Sequence, residues 1–156
     1  MRHNLITTTF IIPIVILIAG CGEDRETLLV KAEQALQAND TDTSEQAYRI
    51  ILARQPIDAE AIQGMVSVTL LRGATEEHLH WCRQLLRLRP WDRHANIVVG
   101  KELAKEGNFK DAVVRLNLAY QESQFKQEKT EALFLLQQLK KMEQAARSRD
   151  EGKERE

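Results

Sequence analysis

The chain has 156 residues, 43% of them hydrophobic and 29% charged, with 22 basic against 23 acidic side chains and a formal charge of −1. That near-balance lacks the basic footprint of a nucleic-acid protein, so no nucleic-acid partner is expected. No Ser-His-Asp order, glycine-rich phosphate loop or spaced carboxylate pair is visible, so the sequence predicts no enzyme, no cofactor and no small-molecule substrate.

Residues 1–20 read as an address rather than as part of a fold. Arg2 and His3 make a short basic start. Leu5 to Ala19 is apolar apart from three threonines, and the run ends in Ile18-Ala19-Gly20-Cys21. A membrane-spanning helix wants about 20 apolar residues; this run is shorter, and Pro13 interrupts it. The segment resembles a bacterial lipoprotein signal peptide with its lipobox. The resemblance implies cleavage before Cys21 and lipidation of its sulfur, and two acyl chains suffice for stable anchoring. Cleavage leaves 136 residues with a formal charge of −2. Gly22 follows the cysteine, where an aspartate would retain an enteric-type lipoprotein at the inner membrane. The resemblance therefore implies a lipoprotein of the outer membrane facing the periplasm, in a host that has one. Residues 21–24 form a short lipidated tether, and Gly22 to Asp24 reach only roughly 10 Å when extended. Cys82 is then the one remaining thiol, read as a small apolar packing residue.

Seven helices follow in chain order, with no strand signal between them. The first runs from about Glu26 to Ala38 and packs Leu28, Ala32 and Ala35. The second starts after Asp42 or Thr43, either of which can cap it, and ends near Arg54 because Pro56 cannot continue it. The third follows the Asp58 cap and stops at Gly73. The fourth begins after Thr75 and ends before Pro90. The fifth follows Asp92 and stops at Gly107, and the sixth spans about Phe109 to Glu122. The seventh, about 125–147, carries Ala132, Leu135, Leu136, Leu139 and Met142 as a stripe and has no helix after it to pair with. Residues 148–156 are nearly all charged and are expected to be disordered.

Pro56 and Pro90 stand 34 residues apart. At that period Ser44–Ile51, His78–Leu85 and Ala112–Ala119 overlay, with one helix face recurring at relative positions 0, +4 and +7. The third copy, from Gly100 through Gly107 and Asn108 to Phe109 and Ala112, resembles the tetratricopeptide (TPR) repeat, whose helix-turn-helix period is 34. The second copy keeps Gly73 at the turn but has Val66 and His78 at the close-contact positions. The first has Ala32, Ser44, Tyr48 and Ile51, with Asn39-Asp40-Thr41-Asp42 in place of a glycine turn. The resemblance covers roughly residues 25–124 as three repeats (about 25–58, 59–92 and 93–124). It implies an all-α solenoid of three TPR units, with the seventh helix capping the last exposed face.

Three candidate sites emerge. His78 and Cys82 lie at i and i+4 and share a helix face, whereas His80 points away. A structural zinc site needs four ligands, no second cluster exists, and His94 belongs to the next helix. The pair therefore reads as packing, with no metal expected. Trp81 to His94 interleaves Arg83, Arg87, Arg89 and Arg93 with Trp81 and Trp91, a face for lipid phosphates, a glycan or an acidic partner. The third is the groove that TPR proteins line with the first helix of each repeat. By phase it contains Leu29, Glu33, Leu36, Glu60, Gln63, Ser67, Leu70, Ile97, Lys101 and Ala104, and apolar residues exposed there mark a contact site. The positions that would clamp a terminal carboxylate hold Leu29, Glu33, Gly64, His94 and Val98, so that mode is not expected. The resulting expectation is a membrane-anchored scaffold that binds another cell-envelope protein in its groove, in assembly of a pilus, secretion or outer-membrane complex. The alternatives are a self-associating structural component, or lipid or glycan contact through the Trp81–His94 face.

Overall fold

The computed structural model describes residues 23–124 and 126–153. The leader, Cys21 and Gly22 lie outside the described residues. Seven helices follow one another: α1 (Arg25–Gln37), α2 (Thr41–Arg54), α3 (Ala59–Arg72), α4 (Thr75–Leu88), α5 (Arg93–Lys105), α6 (Phe109–Glu122) and α7 (Lys126–Lys153). Among the described residues there is no strand, and no helix is long and apolar enough to cross a membrane.

The same local chemistry recurs every 34 residues. Asp24, Asp58 and Asp92 precede α1, α3 and α5, and each carboxylate accepts from backbone N–H groups of the first turn, which would otherwise lack partners. Inside each helix pair the chain turns through a left-handed residue: Asn39 (φ 59°), Gly73 (φ 66°) and Gly107 (φ 79°). Asparagine tolerates that conformation better than other non-glycine residues, so the first repeat makes the turn without a glycine. The cap of α2 is consequently Asp40, which accepts from the Thr43 N–H at 3.0 Å, and not Asp42 or Thr43. Thr75 is likewise the first residue of α4, and Ala74 before it offers no side-chain cap.

Three apolar clusters form the core, one per repeat junction. Leu28, Tyr48, Ile51 and Met65 join α1, α2 and α3; Ile62, Cys82, Leu85 and Val99 join α3, α4 and α5; Ala104, Ala112, Leu116 and Leu139 join α5, α6 and α7. Trp81 packs against the first two. Side-chain size is traded across successive junctions. The Tyr48 ring lies on Gly64, where a Cβ would come within 2.1 Å of Cζ. The phase equivalents are Cys82 with Val98 and Leu116 with Ala132.

Helix α7 packs on α6 and reaches α5, as α3 packs on α2 and reaches α1. It is thus placed as the first helix of a fourth pair, with Ala132 and Leu139 buried and Leu133 and Phe134 exposed. It also runs to Lys153 instead of ending at Arg147. The charged segment 148–153 is helical, because its arginine, glutamate and lysine residues are good helix formers.

Candidate functional site

A hollow of about 550 Å³ opens between α1 and α3. Six of the ten predicted groove residues line it: Leu29, Glu33 and Leu36 from α1, and Glu60, Gln63 and Ser67 from α3. Sequence phase alone did not find Arg25, Glu26, Val30, Tyr48, Gly64 and Arg89, which complete it. Tyr48 enters because Gly64 leaves room for its ring. Its floor is formed by Leu29 and Tyr48, both buried, and the half-buried Leu36, while most of the surface it presents is polar.

The rim is charged and mostly paired. Arg25 donates from Nε to the buried Asp58 carboxylate at 2.5 Å and from Nη2 to Glu60, tying the start of α1 to the start of α3. Burial on its own would raise the Asp58 pKa. The Arg25 hydrogen bond and the Ala61 and Glu60 N–H groups outweigh it and hold the carboxyl below its ordinary value. Arg89 donates to Gln63 across the far end. Glu26 and Glu33 remain exposed on α1.

The other four predicted groove residues are elsewhere. Leu70 is exposed on α3 but does not line the hollow. Ile97, at the phase of Gln63, is only 5% exposed and belongs to the interior. Ala104 is packed with Leu116 and Leu139, and together with Lys101 it lines a second hollow against α7. The predicted residues fall in two separate hollows, one between α1 and α3 and one between α5 and α7, while α3 and α5 meet through side chains packed around α4 rather than through closely spaced backbones.

The Trp81–His94 stretch does not form one basic face. Trp81 is half-buried between two clusters, while Trp91 is exposed. Arg83 lies 3.6 Å from Glu106, Arg93 lies 3.8 Å from Glu131, and Arg89 turns to Gln63. Arg83 and Arg87, one turn apart on α4, line a hollow with Arg115, whereas Arg89 and Arg93 lie beyond that helix and face other neighbours.

His94 does not stay apart from His78 and Cys82. Its Nε2 is 3.0 Å from His78 Nε2, and Cys82 Sγ is 3.7 Å from the same nitrogen. The two imidazoles meet edge to face with centroids 5.1 Å apart. His78 and Cys82 are buried and His94 is half-buried. Burial lowers the pKa of both histidines. Burial, with Asp92 nearby, pushes the Cys82 thiol up to about 12. The only sequence signal for this junction was the i, i+4 spacing of His78 and Cys82. Nothing local to the chain shows that the start of α5 faces the start of α4.

No family model matches the chain, and no curated protein matches it. Among solved structures it is similar to the type III secretion translocator chaperone SycD of Yersinia enterocolitica, at 17% sequence identity over 81% of this chain and 85% of that one, with a TM-score of 0.53. The likeness is one of fold, an all-helical TPR-like repeat architecture, in accord with the 34-residue phase of the caps and turns.

Proposed function

We propose that this chain is a non-enzymatic adaptor, anchored to a membrane by lipid at Cys21, that holds a segment of another cell-envelope protein in the α1–α3 hollow. One observation carries the reading: a mostly polar hollow with Leu29, Leu36 and Tyr48 at its floor opens beneath a charged rim of Glu26, Glu33, Arg25 and Glu60. A partner segment would set an apolar side chain on that floor and match its polar groups to the rim, which excludes poorly matched partners. The fold supports the reading, since stacked helical repeats use such surfaces for binding. A neighbour of that fold is a chaperone of a secretion translocator, which makes a protein client the first class to test. The lipid anchor rests on the Ile18–Cys21 pattern and the apolar run before it. A role in assembling a pilus, secretion or outer-membrane complex follows from that address.

The test is site-specific photocrosslinking in native envelopes. A crosslinker at Gln63 or Ser67, on the wall of the hollow, is expected to trap one discrete partner. A crosslinker at Val113, exposed on α6, is expected to trap none. Equal capture from all three positions, or capture from Val113 alone, would move the site off the hollow. Changing Cys21 to Ser is expected to abolish lipid labelling and leave the leader uncleaved; labelling that persists would refute the anchor. The exposed Leu133 and Phe134 of α7 favour self-association as a second reading. Concentration-dependent dimerisation that Phe134→Asp removes would support it.

A further inference from the structure

We propose that His78, Cys82 and His94 form a three-ligand site for a thiophilic metal ion, Zn(II) or Cu(I), at the junction of the second and third repeats. The donor atoms all lie within 4.8 Å of one another. Bonds of ~2.0–2.1 Å to nitrogen and ~2.3 Å to sulfur place tetrahedral donors roughly 3.3–3.6 Å apart. The measured separations are 3.0 Å between the two Nε2 atoms and 3.7 Å from His78 Nε2 to Cys82 Sγ. Only a small shift of His94 separates this arrangement from a ligand set.

The surroundings of His78 supply a second, independent indication. Its Nδ1 lies 3.1 Å from the Val66 carbonyl oxygen and 3.1 Å from Thr69 Oγ1. A carbonyl oxygen only accepts, so Nδ1 carries the proton. Thr69 spends its own hydroxyl proton on the Met65 carbonyl at 2.8 Å, which leaves Oγ1 free to accept as well. His78 Nε2 therefore presents a lone pair toward His94 and Cys82. A backbone carbonyl on the far nitrogen is how metal-ligating histidines are oriented.

The chemistry selects the ion. A thiolate with two imidazoles suits zinc and copper(I), and not the oxygen-seeking calcium or magnesium. On binding, the Cys82 S–H bond breaks, the sulfur–metal bond forms and the proton leaves to solvent. The His94 proton shifts from Nε2 to Nδ1. Three protein ligands leave Zn(II) with one open position, whereas Cu(I) is satisfied with three. A hollow of about 440 Å³ between α4 and α5 reaches His78, and the half-buried His94 is the ligand nearest solvent. With His78 and Cys82 on α4 and His94 on α5, a bound ion would clamp α4 to α5 and help set the angle between those repeats.

The test uses the full chain in detergent carrying Cys21→Ser, so that Cys82 is its only thiol. Zn(II) and Cu(I) are titrated separately against chelators, and Co(II) serves as the spectroscopic stand-in for zinc. One equivalent of Zn(II) or of Cu(I) is expected to bind; whichever binds more tightly identifies the ion. Co(II) is expected to give a sulfur-to-metal charge-transfer band. The thermal midpoint is expected to rise by more than about 5 °C at a hundredfold excess over Kd. Cys82→Ala should lose the band and the thermal shift, and His94→Gln should weaken binding at least about tenfold. His80→Gln should change neither. Should Cys82→Ala fail to fold, the half-buried His94→Gln decides. Less than one equivalent of both ions, or binding unchanged in His94→Gln, would overturn the proposal.

Discussion

Tyr48 occupies the space that a side chain at position 64 would need. A Cβ on Gly64 would come within 2.1–2.4 Å of three ring atoms, whereas one on Gly100 would meet the Leu116 side chain at 3.1 Å. The rigid Tyr48 ring must swing as a whole to clear a 2.1 Å clash, whereas a leucine terminus needs to give only a few tenths of an ångström. Gly64→Ala is therefore expected to cost about 1–3 kcal/mol by overpacking, and Gly100→Ala distinctly less. Thermal melts of the two variants check the order. Combining Gly64→Ala with Tyr48→Leu should recover part of the loss, because the smaller side chain vacates the contested volume. Equal melting of Gly64→Ala and the parent would mean that the Tyr48 ring does not lie on α3. The sequence pointed to Gly100 through its repeat phase and passed over Gly64. Gly64 is spaced from no other glycine by the period, and only the packed ring shows what it is for.

Helix α7 illustrates what an unpaired element can and cannot contribute. Ala132 and Leu139 are buried against the third repeat, with Leu135 and Leu136 half-buried beside them. Removing residues 125–156 would uncover Ala104 and Leu116, and the expected outcome is aggregation or loss of cooperative unfolding. Removing only 148–156 should leave the unfolding free energy within about 0.5 kcal/mol of the parent, because that stretch has no apolar side chain to bury. A soluble, cooperatively folding fragment ending at Gln124 would show that the third repeat closes itself. The stripe of α7 was legible from its 3.6-residue spacing. Its end was not, since a charged helical tail and a charged disordered tail share one composition.

Across the whole molecule the first and second repeats are bound together by one part-buried and three exposed ion pairs. Arg25 reaches Asp58 and Glu60, while Arg72 at the end of α3 reaches Asp42 and Glu45 on α2. Burial would raise the pKa of both Asp58 and Glu45, but their arginine partners outweigh it and both are held below their ordinary values. A carboxylate with a depressed folded pKa contributes stability that is fully present above its unfolded pKa. That stability disappears as pH falls through the folded value. The thermal midpoint should therefore decline on acidification below the ordinary Asp value of 3.8. In Arg25→Gln the buried Asp58 loses its partner, its folded pKa rises and the decline should begin at higher pH. Superimposable pH profiles of parent and variant would show that this pair does not couple the repeats.

The sequence by itself determined the helices, their 34-residue register, most of their caps and turns, and six of the residues that line the α1–α3 hollow. Each of these depends on backbone propensity and on spacing within one helix or one repeat, and such information is local to the chain. Only the tertiary structure decided that the α1–α3 hollow does not run on to α5, that Ile97 and Ala104 are interior, and that α7 stands as a fourth first helix. It alone also brings His94 onto His78 and Cys82. Those outcomes depend on how one repeat rotates against the next. That rotation is set by side-chain sizes meeting across junctions, Tyr48 on Gly64 among them, and a repeat period is silent about it.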